Sequence, residues 1–127
     1  MIAVCSSDYL CQDSVKMEEL ITMPLLLREL GSGSRSIVEG ILSKYKKKPE
    51  IVMESISIRS LIEACSQGMG VLLLTKSVLE PYMKSHHLRE IEIVDENIMR
   101  EYYFVYHKSK FLTKSMKYFQ EFVLKNR

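Results

Sequence analysis

Three short apolar runs, Leu25-Leu26-Leu27, Ile51-Val52-Met53 and Val71-Leu72-Leu73-Leu74, alternate with segments whose apolar residues recur at helical spacing. The first connecting stripe is Ile37, Val38, Ile41, Leu42 and Tyr45, one face of a helix. It ends in Lys46-Lys47-Lys48, cations that suit a helix C-terminus, and Pro49 stops its continuation. The second stripe is Ile58, Leu61, Ile62 and Cys65, with Ser57 placed to cap its start and Gly68 to close it. Strands that are apolar on both faces and joined by helices form a parallel sheet covered on both sides. The sequence therefore predicts a βαβαβ unit: an α/β fold, mostly parallel, with helices on both faces.

The flanking segments are less regular. Ser77 to Lys84 predicts a short helix limited by Pro81. Ile91 and Ile93 alternate with Glu90 and Glu92, as in a half-exposed edge strand. Glu101 to His107 predicts a strand with three tyrosines, and Leu112, Met116, Phe119 and Val123 mark a C-terminal helix. At the other end, Ile2 to Cys5 predicts a strand, and Met17, Leu20 and Ile21 a short helical turn. An α/β layer entered in its middle is expected of a piece of something larger.

A chain of 127 residues fits one domain. Its 46% hydrophobic content excludes disorder and low-complexity classes, and no apolar run reaches the ~20 residues of a membrane span. A net charge of +2 and a pI near 8.4 are too mild to argue nucleic-acid binding. Cys5, Cys11 and Cys65 lack the spacing of a disulfide framework or zinc site, and free thiols point to a reducing, cytoplasmic setting. Cys5 and Cys65 read as small core hydrophobes. No metal, cofactor or catalytic constellation is expected, and the chain does not read as an enzyme.

Ligands of open parallel sheets bind outside the carboxyl ends of the strands. Three loops are expected there, Arg28 to Arg35, Ser55 to Ser57 and Thr75 to Ser77, each rich in hydroxyl residues and each opening a helix. In the first, Gly31, Ser32, Gly33, Ser34 and Arg35 combine freed backbone, small donors and a cation at a helix N-terminus, which suits a small carboxylate-like anion. With Arg28, Ser55, Ser57 and Thr75 they make the candidate ligand-binding set. The alternative is an ordinary loop, with Ser36 and Glu39 forming a capping box. Lys44 and Lys46 to Lys48 read as a solvated helix end, and His86-His87 lacks further metal ligands.

The order of these pieces resembles a known family. Pro24 to Arg35, PLLLRELGSGSR, resembles the P-[FL]-[IL]-L-R-E-x-G-S-G-T-R stretch of LysR-type transcriptional regulators, with Ser34 replacing the usual threonine. Leu61 to Val71 resembles their I-K-x-x-V-x-x-G-x-G-[IV] segment, and Thr75-Lys76 stands where proline commonly follows. The resemblance spans almost the whole chain. It implies an effector-binding domain similar to type 2 periplasmic binding proteins, in which two α/β subdomains enclose a small-molecule cleft. It assigns about residues 6–100 to the second subdomain, and 1–5 with 101–127 to the remnant of a truncated first one. The implied function is effector sensing in a bacterial regulator, with DNA contacted only through an absent N-terminal winged helix-turn-helix. A transporter's solute-binding protein with the same fold is the alternative. Uncovered strand edges and the C-terminal stripe imply a homo-oligomer.

Overall fold

The computed structural model describes residues 1–126. The elements in order are β1 (Ile2–Ser6), β2 (Ser14–Val15), α1 (Met17–Leu20), β3 (Pro24–Arg28), α2 (Gly33–Leu42), β4 (Glu50–Ser55), α3 (Ile58–Ser66), β5 (Val71–Leu74), α4 (Lys76–Leu79), a 3-10 turn (Glu80–Tyr82), β6 (Leu88–Ile93) and α5 (Lys114–Lys125). The strands form one six-stranded sheet in the order β2-β6-β1-β5-β3-β4. Parallel pairs join β3 to β4 and β5, and β2 to β6; β1 runs antiparallel to both β5 and β6.

The continuous apolar runs follow from this layering. On one face, Ala3, Cys5, Leu25, Leu27, Val71, Leu73 and Ile91 pack with Met17, Leu20 and Ile21 of the α1 region and Val38 and Leu42 of α2. On the other, Val4, Leu26, Leu72, Leu74 and Leu88 pack under Leu61, Ile62, Ala64 and Cys65 of α3 and Leu79 of α4. Successive side chains leave a strand on opposite faces, so a strand covered twice is apolar throughout. Gly70 marks the tightest junction: a Cβ there would lie 2.3 Å from the Pro24 carbonyl oxygen.

Several expectations are corrected. Ile2–Ser6 is not a bare strand: it lies inside the sheet, paired with β5 on one side and β6 on the other. β6 is not an edge, because the two-residue β2 pairs along its outer side. β2 and β4 are the two edges; β4 is the longer, and its Ile51 and Val52 are exposed. A register shift against β3 between Leu25 and Leu26 interrupts its ladder, a device that blunts an open edge. Pro81 converts the end of the Ser77–Lys84 helix to the 3-10 turn. No strand forms over residues 101–107, because an isolated extended segment has no ladder partner to satisfy its backbone. The C-terminal helix does form, yet none of its residues is buried.

Candidate functional site

The register brings the expected loops to one edge. Arg28 at the end of β3 is paired with Ser55 at the end of β4, and Leu26 with Leu72, so Thr75 opens its loop beside them. Gly31, at φ 91°, turns the chain out of β3 in a conformation that costs most residues dearly. Ser32 is the N-cap of α2: its Oγ accepts from the Arg35 N–H at 3.1 Å, and its carbonyl accepts from the Ser36 N–H at 3.0 Å. The cap is therefore Ser32, not the Ser36–Glu39 box. The N–H groups of Gly33 and Ser34 have no hydrogen-bond partner among the described residues. Unpaired N–H groups on a ten-residue helix carry the positive end of its dipole.

A residue absent from the sequence expectations completes the cluster. Arg100 Nη1 donates to Ser34 Oγ at 3.0 Å and to Thr75 Oγ1 at 3.2 Å, joining two of the loops. Its Nη2 lies 3.5 Å from where a Gly33 side chain would begin, an ordinary contact distance, so the guanidinium rests directly against the first residue of α2. The guanidinium also sits 4.8 Å over the Tyr102 ring, a cation–π contact. No local pattern announces Arg100; it reaches the loop only because the chain turns back after the buried Ile98.

The other expected residues take supporting places. Arg35 is only 5% exposed. It donates to Glu39 Oε1 at 2.9 Å, Glu54 Oε2 at 2.8 Å and the Arg28 carbonyl at 3.0 Å. Its charge is met by two carboxylates, so it ties α2 to β3 and β4 instead of offering an open cation. Arg28 forms a two-bond pair with Glu29, which holds that carboxyl below its ordinary range. Ser55 Oγ accepts from the Ser57 N–H at 3.0 Å, and Ser57 Oγ caps α3 through the Ser60 N–H at 3.2 Å. These hydroxyls shape the start of α3. No hydrogen bond joins them to the Arg100 cluster among the described residues.

Amide N–H groups, hydroxyls and a guanidinium together suit an oxyanion. Among the described residues the hydrogen-bond partner of the Ser34 and Thr75 hydroxyls is Arg100, with no histidine or carboxylate base bonded to either. Among the described residues, no three His, Cys, Asp or Glu side chains are gathered to hold a metal ion, and no helix is long and apolar enough to cross a membrane.

The family model described as "LysR substrate binding domain" matches residues 1–127. The "Uncharacterized HTH-type transcriptional regulator YeiE" of Escherichia coli (strain K12) is 29% identical over 113 residues, covering 89% of this chain and 39% of that protein. The chain thus spans well under half the length of this relative. The fold is similar to the CcmR regulatory domain of Synechocystis PCC6803 in complex with 2-PG, with TM-score 0.78, 17% identity, and coverage of 98% of this chain and 61% of that one. It is similar also to the effector binding domain of QuiR in complex with shikimate, with TM-score 0.75, 14% identity, and coverage of 98% and 59%.

Proposed function

Because this chain belongs to the LysR substrate-binding domain family, we infer that it is the effector-sensing module of a bacterial transcription regulator, with a small anion as effector at the start of α2. The single observation carrying the anion reading is the convergence of Arg100, the Ser34 and Thr75 hydroxyls and the unpaired Gly33 and Ser34 N–H groups. Arg28, Gly31, Ser32 and Arg35 belong to the same wall as the residues that hold its shape, and Ser55 and Ser57 border it. In this reading the chain binds and does not catalyse, acts in the cytoplasm, and leaves operator contact to a separate helix-turn-helix domain. In this reading about residues 6–100 make up the second subdomain and 1–5 with 101–127 belong to the first, and the place of β1 between β6 and β5 favours counting 2–5 with the second.

The test is a titration of the 15N-labelled chain with inorganic phosphate, 2-PG and shikimate, probes that include the molecules named with the two solved relatives. The Gly33 and Ser34 amides are expected to shift most. Arg100→Gln is expected to weaken binding by about tenfold or more, the worth of a charge-assisted hydrogen bond. Shifts clustering away from residues 28–35, or unchanged affinity in the variant, would overturn the site.

A further inference from the structure

Cys5 and Cys11 are six positions apart, and folding brings their sulfurs together. Cys5 is fully buried on β1, Cys11 is partly exposed in the loop between β1 and β2, and their Sγ atoms stand 3.9 Å apart. Arg89 of β6 completes the group. Its Nη2 donates to Cys11 Sγ at 3.1 Å and to the carbonyls of Cys11 and Tyr9 at 2.9 and 3.1 Å, while Nη1 pairs with Asp13 at 2.9 Å. The guanidinium thus fixes the loop that carries Cys11 and places a positive charge on the sulfur that solvent can reach. Cys65 offers a contrast on the opposite face of the sheet: it is buried and donates to the carbonyls of Val4 and Gly70.

We propose that Cys5 and Cys11 are an oxidisable dithiol, converted by a hydroperoxide to an intramolecular disulfide with Arg89 as the counter-charge of the reacting sulfur. The Cys11 thiolate attacks one peroxide oxygen, the O–O bond breaks, and the departing alkoxide takes a proton, leaving Cys11 as a sulfenic acid. The Cys5 sulfur then attacks the Cys11 sulfur; the S–O bond breaks, and hydroxide leaves as water with the Cys5 proton. Two thiols lose two hydrogens and two electrons, and one hydroperoxide becomes an alcohol and water. A disulfide of about 2.05 Å requires the sulfurs to close by about 2 Å, within reach of side-chain rotation in a loop. Burial pushes the Cys5 thiol up to about 12, so it stays protonated and the first attack falls to Cys11. Because β1 is antiparallel to β5, Cys5 lies toward the edge of the sheet opposite Thr75, so this site is distinct from the anion cluster.

The test treats the reduced full chain with hydrogen peroxide, followed by non-reducing peptide mass spectrometry. A linked Cys5–Cys11 peptide lacking two hydrogens is expected, with Cys65 still alkylated after unfolding. In Cys5→Ala the reaction is expected to stop at a Cys11 sulfenic acid trapped by dimedone. Arg89→Met is expected to slow Cys11 oxidation by about tenfold or more. The proposal is overturned if wild-type Cys5 stays reduced while Cys11 proceeds to a sulfinic acid or a bond between chains, or if Cys11 oxidises no faster than Cys65.

Discussion

Two arginines meet the same loop and do opposite work, and the difference lies in what faces each guanidinium. Arg35 is met by Glu39 and Glu54 and by the Arg28 carbonyl, so it holds α2 against the sheet. Among the described residues Arg100 is met only by hydroxyls and an aromatic ring, and none of them cancels its charge as an ion pair. Arg35→Met is therefore expected to lower stability by about 2 kcal/mol, since three hydrogen bonds go but both carboxylates stay partly solvated. Arg100→Met is expected to change stability by less than ~0.5 kcal/mol while impairing anion binding. Urea denaturation of the two variants measures the contrast, and equal losses would show that Arg100 is a brace as well. The turn out of β3 and the start of α2 were legible in the sequence because Gly31, Ser32, Gly33 and Ser34 advertise them locally. The partners of Arg35 were not legible for a physical reason: a cation at a helix N-terminus looks the same in sequence whether or not carboxylates from Glu39 and Glu54 fold onto it. Arg100 was invisible because its partners are joined to it only by tertiary structure.

Elements covered on both faces were the most legible, since β3, β5, α2 and α3 each write their burial into an unbroken run or a stripe. Those defined by neighbours were not. β1 carries the same apolar signature at the centre of a sheet as it would at an edge, and β2 is too short to show a period. The strand expected over residues 101–107 has a run of aromatic and apolar residues but no ladder partner among the described residues. α3 illustrates how a legible element is fastened. Its Cys65 Sγ donates to the Val4 carbonyl at 3.4 Å and the Gly70 carbonyl at 3.6 Å, and burial pushes the thiol up from 9.0 to about 12. A group whose folded pKa is raised releases its proton more readily in the unfolded chain. Its contribution is thus complete below the ordinary thiol value and is lost as pH rises from about 9 toward about 12. Reduced protein is expected to lose up to ~1.4 kcal/mol per pH unit through this thiol over that window. Denaturant midpoints across the window measure it, and Cys65→Ala is expected to reduce the dependence by about half, the raised Cys5 thiol supplying the rest; an unchanged slope would remove Cys65 as a source.

The whole molecule is a well-packed layered sheet with an open arm. In α5, Phe119 is 55% and Val123 38% exposed, and Phe104 rests near Phe119 within the arm itself. Leaving large apolar side chains in water forgoes roughly 1.5–3 kcal/mol each, a strong drive to cover them. Self-association through this arm is therefore expected. Light scattering across a concentration series is expected to show a rising mass, reduced in Phe119→Ser/Val123→Ser; a constant monomer mass in the wild type would refute it. The central position of β1 carries a different consequence, one of timing. Ala3 pairs with Ile91, so at ~5–20 residues per second the first strand leaves the ribosome about 4–18 s before its outer neighbour exists. Through that interval the apolar residues Ile2 to Cys5 are a waiting strand, open to mispairing or to a chaperone. β1 is thus made before every other strand of its sheet and is among the last to be enclosed.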